Sequence, residues 1–282
     1  MCMQGIPRSV GLPSNQHVPK KPKLGQNYLV DAQAAHRIVA ALGDVAGHTV
    51  VEIGSGRGAI TEILAARAGH IVAIELDREL AAGLRTKYEA ARVTVVEQDV
   101  LAFDFAAAAQ AGERLRVVGN LPYYITSPIL LKLAASHAAL DLAVLMVQRE
   151  VADRVTASPG SRDYGLLSAT VQMYGPVTPL FTLLPEAFSP PPQVHSTVFR
   201  WRFAPRFDEL GVEEKGFLRF LRQVFAQKRK TLSNNLRAAG VAPAAAEAAL
   251  AKAGIEPKTR AEAVGLEAMA TLWLELRDRQ PR

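Results

Sequence analysis

Asn120-Leu121-Pro122-Tyr123 is the stretch of this 282-residue chain with the most evident chemistry. It follows an apolar run, Leu115-Arg116-Val117-Val118-Gly119, that reads as a buried strand. The tetrapeptide therefore stands where a parallel sheet opens its ligand crevice. The Asn120 side-chain carbonyl and the Pro122 backbone carbonyl are expected to accept the two hydrogens of a planar amine, while Tyr123 offers a stacking face. Such a grip suits chemistry at an exocyclic nitrogen. Alone, the same four residues also fit a plain turn in which Pro ends a strand and Tyr fills a gap.

A second constellation lies upstream. Val51-Glu52-Ile53-Gly54-Ser55-Gly56-Arg57-Gly58-Ala59 reads as a strand, a glycine-rich loop and the start of a helix. Glycines there permit positive φ and let a ligand touch the backbone, and a helix amino terminus favours polar or anionic groups. Glu75 follows Gly54 by 21 residues at the end of the next strand, placed to accept the hydroxyls of a ribose. Asp99 ends a third strand, where a carboxylate either accepts from an adenine amine or caps the next helix. Gly54 and Gly56, with Glu75, fit a nicotinamide dinucleotide and S-adenosylmethionine equally. The amine grip at Asn120 separates the two: hydride transfer has no use for it, whereas methyl transfer to nitrogen does.

The elements needed to position these residues are legible as an alternation. Strands are expected at 49–53, 70–75, 93–97, 115–118 and 142–147, with helices at 31–42, 59–68, 78–88 and 127–135. That order implies an α/β fold with a mainly parallel sheet covered on both faces. Further helices are expected at 150–156 and 165–173, then a late antiparallel strand at 194–203. Beyond Ala204-Pro205 the sequence turns rich in Ala, Leu, Arg and Lys at helical spacing. Three segments follow: a basic arm at 1–22, a main domain at 23–205 and a small helical domain at 206–282.

Composition bounds the chemistry further. An apolar fraction of 49% and a charged fraction of 21% are those of a globular chain. Cys2 is the single cysteine, which excludes an intramolecular disulfide and a cysteine metal cage. No apolar run approaches the roughly 20 residues that span a bilayer, and residues 1–23 lack a secretory apolar core, so a cytoplasmic location is expected. The net charge of +6 is uneven: +4 falls in residues 1–25 and +4 in 206–282, against −2 between them. Basic ends on a near-neutral body suit a polyanionic partner.

Further motifs carry a specific resemblance. Gly25-Gln26-Asn27-Tyr28-Leu29, Glu52-Ile53-Gly54-Ser55-Gly56-Arg57-Gly58 and Asn120-Leu121-Pro122-Tyr123-Tyr124-Ile125 are followed by Gln148-Arg149-Glu150-Val151-Ala152-Asp153-Arg154, residues 158–168, residues 188–196 and Gln227-Lys228-Arg229-Lys230-Thr231-Leu232. Over about residues 24–270 this order resembles the ribosomal RNA adenine N6-dimethyltransferases, above all their bacterial small-subunit members. Tyr28 stands where Phe is usual, Ser55 where Pro is, and Tyr124 where Asn is.

The resemblance implies a Rossmann-like class I S-adenosylmethionine-dependent methyltransferase with a small C-terminal all-α domain. It implies dimethylation of N6 in two adjacent adenines, in a loop near the 3′ end of small-subunit (16S) ribosomal RNA. S-adenosylmethionine is the expected cofactor, S-adenosylhomocysteine the product, and no metal is involved. The cofactor contacts carry over to Asn27, Leu29, Gly54, Gly56, Glu75, Asp99 and Asn120; the transfer site carries over to Asn120, Pro122, Tyr123 and, as a second aromatic wall, Phe188. Lys228, Arg229 and Lys230, on a helix expected to begin near Lys215, are expected on RNA phosphates, extended by Arg149, Arg154 and Arg162. The expected partner is small-subunit ribosomal RNA in an assembling 30S particle, bound by a monomer with no membrane contact.

Overall fold

Thr49-Val50-Val51-Glu52-Ile53 is buried on both faces, which is what a near-continuous apolar run requires of a central parallel strand. The structure, a computed structural model, describes residues 27–110 and 112–277. The arm at 1–22, with Gly25 and Gln26 of the first motif, lies outside the described residues.

The elements run β1 (Tyr28–Leu29), α1 (Ala32–Ala40), β2 (Thr49–Ile53), α2 (Ala59–Ala65), β3 (His70–Glu75), α3 (Arg78–Lys87), β4 (Val93–Glu97), α4 (Phe105–Ala108) and β5 (Leu115–Asn120). They continue through α5 (Thr126–Ala135), β6 (Leu140–Gln148), α6 (Arg149–Thr156), α7 (Leu166–Met173), β7 (Val177–Leu183), β8 (Phe188–Ser189) and β9 (Ser196–Arg202). Four helices close the chain: α8 (Glu214–Val224), α9 (Leu232–Ala238), α10 (Pro243–Lys252) and α11 (Leu266–Arg277). None of the described helices is long and apolar enough to cross a membrane.

Seven strands form one sheet in the order β4-β3-β2-β5-β6-β9-β7. Pairing is parallel from β4 through β6, then antiparallel from β6 to β9 and from β9 to β7. Successive strands step outward one way from β2 and the other way from β5. The reversal opens a crevice at the carboxyl ends of those two strands, immediately before Gly54 and Leu121. Helices α1 and α2, with the turn that follows α1, close one face through Ile38, Leu42, Ile60 and Leu64. Helices α5 and α7 close the other through Ile129, Leu133 and Val171.

Phe217, Phe220, Leu221 and Val224 recur at helical spacing and form the buried stripe of α8. They join the same core cluster as Phe199 and Tyr164 of the sheet domain, so apolar packing is continuous across the composition break at 205/206. Polar ties reinforce it: the Tyr174 hydroxyl donates to Glu214 at 2.7 Å, and the Gly160 N–H donates to the Glu262 carbonyl at 2.8 Å.

Three features depart from the sequence reading. Helix α8 ends at Val224, because the buried Asn235 amide donates to the Val224 carbonyl at 2.8 Å and Thr231 caps a new helix, α9. Strand β7 has no counterpart in the sequence reading; it pairs only with β9, and an edge position tolerates Pro179, where the register shifts. A two-residue pairing of β1 with β8, Tyr28 to Ser189 and Leu29 to Phe188, straps the first described residues across the crevice.

Candidate active site

Three glycines in the loop after β2 adopt the left-handed region: Gly54 at φ 70°, Gly56 at φ 55° and Gly58 at φ 84°. A Cβ on Gly56 would stand 3.2 Å from a ring carbon of Tyr28, so this glycine also lets the strap come close. The loop is held by Glu75. One of its carboxylate oxygens accepts from the Gly56 N–H at 2.7 Å, and the other from the Asp77 N–H at 2.9 Å. Glu75 is only 3% exposed, yet it lines the crevice, and each oxygen keeps a second lone pair. The adjacent Leu76 is half-exposed in the same wall and offers apolar surface beside a carboxylate. Asp99 lines it too. Its Oδ1 caps the following turn by accepting from the Leu101 N–H at 2.9 Å, which leaves Oδ2 for a ligand. The two roles weighed for Asp99 are thus compatible.

Asn120 stands across the crevice from these groups. Its Nδ2 donates to the Asn27 carbonyl at 2.9 Å, which commits the amide nitrogen to the strap and leaves Oδ1 as the acceptor. The neighbouring acceptor differs from the expectation. The Pro122 carbonyl already accepts from the Ile125 N–H at 3.2 Å and from Thr126 Oγ1 at 3.1 Å, which occupies both lone pairs. The carbonyl of Leu121, a residue of the same wall, accepts no hydrogen bond among the described residues.

Tyr123 is half-buried, and its hydroxyl hydrogen-bonds Ser196 Oγ at 2.7 Å. Burial pushes its phenol pKa up from the ordinary value, against the opposing effect of that bond. Ser196 is 0% exposed at the start of β9, so the ring is anchored from the antiparallel end of the sheet. Beneath the glycine loop, Glu52 is wholly buried and accepts from Thr61 Oγ1 at 2.5 Å; burial pushes its carboxyl up to about 7.

The crevice thus gathers Asn27, Gly54, Gly56, Glu75, Asp99, Asn120, Pro122 and Tyr123 in one wall. It also includes Tyr28, Leu76 and Leu121, which sequence reasoning had not singled out for the site. Leu29 and Phe188 are not in that wall. They face each other in the β1–β8 pairing and bury their side chains, at 7% and 3% exposed, in the core beneath the strap. The expected RNA-binding residues divide in two. Lys228, Arg229 and Lys230 are exposed, in the turn between α8 and α9 and not on the expected helix, and Arg162 is exposed in the loop before α7. Arg149 and Arg154 form ion pairs along α6, with Asp153 at 3.6 Å and Glu150 at 2.7 Å.

A Rossmann-like, mainly parallel sheet with a glycine loop, an acid and an asparagine at its strand ends is the fold of a class I methyltransferase. The same fold occurs in a dimethyladenosine transferase from Plasmodium falciparum, with a TM-score of 0.73 at 23% identity over 87% of this chain and 96% of that one. The 23S rRNA methyltransferase ErmE superposes with a TM-score of 0.68 at 25% identity, covering 89% of this chain and all of that one. The profile of the family "Ribosomal RNA adenine dimethylase" matches residues 18–278, and the chain belongs to that family. A protein of Acidobacterium capsulatum named "Ribosomal RNA small subunit methyltransferase A" is 58% identical over 96% of this chain and 95% of its own length. One of the same name from Koribacter versatilis is 52% identical over 93% and 96%.

Proposed function

We propose that this chain dimethylates N6 of two adjacent adenines, in a loop near the 3′ end of small-subunit (16S) ribosomal RNA, with S-adenosylmethionine as methyl donor. The observation that carries this reading is the meeting, in one crevice, of a ribose-type acid with two free acceptors and an anchored ring: Glu75, Asn120 Oδ1, the Leu121 carbonyl and Tyr123. The small-subunit substrate is supported by 58% identity to the Acidobacterium protein, against 25% to the large-subunit enzyme.

The crevice residues suit the cofactor. Glu75 has spare lone pairs for two ribose hydroxyls, Asp99 Oδ2 suits an adenine amine, and Leu76 offers its ring a surface. The left-handed glycines leave backbone open beside Asn27 and Tyr28, with Leu29 and Phe188 anchoring that strap from below. Bound there, S-adenosylmethionine supplies an electrophilic methyl on a sulfonium.

The protein's task is to make a weak nucleophile attack. The adenine amine shares its lone pair with the ring. Asn120 Oδ1 and the Leu121 carbonyl, by accepting its two hydrogens, favour a pyramidal nitrogen with the pair restored. Tyr123 stacks on the base, worth about 1–3 kcal/mol, and offsets part of the few kcal/mol needed to unstack it. Holding the nitrogen in line supplies several kcal/mol more, within the ~7–11 kcal/mol available to orientation. After one methyl a single N–H remains, so one acceptor suffices for the second transfer.

Lys228, Arg229, Lys230 and Arg162 serve as phosphate contacts, and Arg149 and Arg154 lend charge from α6. The chain acts as a cytoplasmic monomer on the assembling 30S particle, with residues 206–282 as its helical RNA-binding domain. Incubation with methyl-labelled cofactor and unmethylated small subunits, followed by mapping, is expected to yield two adjacent N6,N6-dimethyladenines. Label confined to large-subunit RNA, or to another base, would contradict the reading.

A further inference from the structure

A second groove opens at the end of β6, beside the amine grip. Gln148, the last residue of β6, lies two positions beyond Met146, the register partner of Asn120. Across the antiparallel side its partner is Ser196, the residue that holds the Tyr123 hydroxyl. The groove therefore begins where the stacking ring is anchored, one strand over from Asn120.

Its chemistry is unlike that of a phosphate track. Glu150, Asp153 and Asp163 line it against one guanidinium, Arg149, which is itself 3.6 Å from Asp153. Glu150 is paired outward with Arg154 at 2.7 Å. The Asp163 side chain makes no hydrogen bond or ion pair among the described residues. Gln148 is half-buried, does not cap α6 with its side chain, and its amide also makes no hydrogen bond among the described residues. A surplus of carboxylate repels a phosphate. A free carboxylate and a free amide suit the edge of a base that carries an exocyclic amine: carboxylates accept from cytosine N4, and Gln pairs bidentately with adenine. Single-stranded RNA is read through such splayed bases. His195 and Val194 add flat and apolar surface.

We propose that this groove receives the base adjacent to the target adenine and selects one with an unmodified exocyclic amine. The proposal rests on the N6-methylation reading given above. Its consequence is an order of reaction. A dimethylated adenine has no N6 hydrogen left to donate, so the groove favours the particle whose neighbouring adenine is still unmodified.

The test uses unmethylated small subunits in which each of the two adenines is replaced in turn by cytosine, which keeps an amine, or by uracil, which presents a carbonyl. With the wild-type chain, methylation of the remaining adenine is expected to be about tenfold slower with uracil than with cytosine at one of the two positions. Gln148→Leu is expected to erase most of that difference with cofactor affinity unchanged, and Gln148→Glu to widen it. Equal rates with cytosine and uracil at both positions would overturn the proposal, as would a difference undiminished in Gln148→Leu. Faster methylation of both particles by Asp163→Asn would indicate a phosphate in the groove and overturn it likewise. Equal rates with normal dimethylation of the unaltered particle would sink this proposal alone; no methylation of that particle would sink the parent reading too.

Discussion

The hydroxyl pair between Tyr123 and Ser196 allows a prediction with unequal arms. Tyr123→Phe keeps the ring but strips Ser196 Oγ of its partner at a site with 0% exposure. An unsatisfied buried hydroxyl costs about 1–3 kcal/mol. Ser196→Ala instead frees the Tyr123 hydroxyl, which belongs to a half-buried side chain at the crevice, where water can replace the lost bond. Its cost should be near the net value of one hydrogen bond, about 0.5–1.5 kcal/mol. The double variant leaves neither group stranded, so it should be more stable than the sum of the single losses implies, by about 1 kcal/mol. Urea denaturation of the four proteins measures this directly. Kinetics should move with it: a loosened ring weakens RNA binding several-fold, while cofactor affinity at the Glu75 side stays put. Additive stability losses, or unchanged RNA affinity in all three variants, would refute the anchoring role.

Other expectations follow from single groups. Glu52, whose carboxyl is pushed up to about 7 by burial, holds a proton in the folded chain over a range where the unfolded chain has lost it. Its contribution is therefore complete below about pH 4.5 and is lost as pH rises through about 7, a change of about 3 kcal/mol. Glu52→Gln should flatten the fall in Tm between pH 5 and 8, and an unchanged slope would contradict this. Gly56→Ala adds a Cβ 3.2 Å from the Tyr28 ring at φ 55°. It should cost about 1–2 kcal/mol in stability and weaken cofactor binding, measured by calorimetry; wild-type values for both would tell against the close strap. Lys228→Ala should lower RNA affinity and reduce the slope of log K against log salt by about 1, with cofactor affinity unaltered. An unchanged slope would remove Lys228 from the RNA surface.

Much of this site was legible because its residues sit at or just past the end of a strand. Buried parallel strands are apolar on both faces, so Thr49–Ile53, His70–Glu75 and Leu115–Asn120 stand out, and so do the glycine after the first and the polar residues Glu75 and Asn120 that end the other two. What escaped depends on pairing and hydrogen-bond geometry. Strand β7 carries Pro179 and threonines at an edge, and β1 and β8 are two residues each, too short for any period. Pairing across the strap is also what buries Leu29 and Phe188. Whether Leu121 or Pro122 has the free carbonyl is decided by Thr126 and the turn at Tyr123–Ile125. Ser196 is 73 residues from the tyrosine it anchors, with no local signal for the bond. The end of α8, which puts Lys228–Lys230 in a turn, hangs on Asn235, a polar residue whose burial only tertiary structure reveals.

The central claim is that Asn120 acts on the amine of the target base more than on the cofactor. Asn120→Ala removes Oδ1 as an acceptor and one hydrogen bond to the strap at Asn27. Cofactor binding measured by calorimetry should stay within about tenfold of wild type, since one hydrogen bond is worth about 0.5–1.5 kcal/mol. Single-turnover methyl transfer to unmethylated small subunits should fall by about 10²–10³-fold, the usual loss when one preorganised polar contact to a reacting group is removed. Transfer at a rate close to wild type, with cofactor bound, would contradict the account.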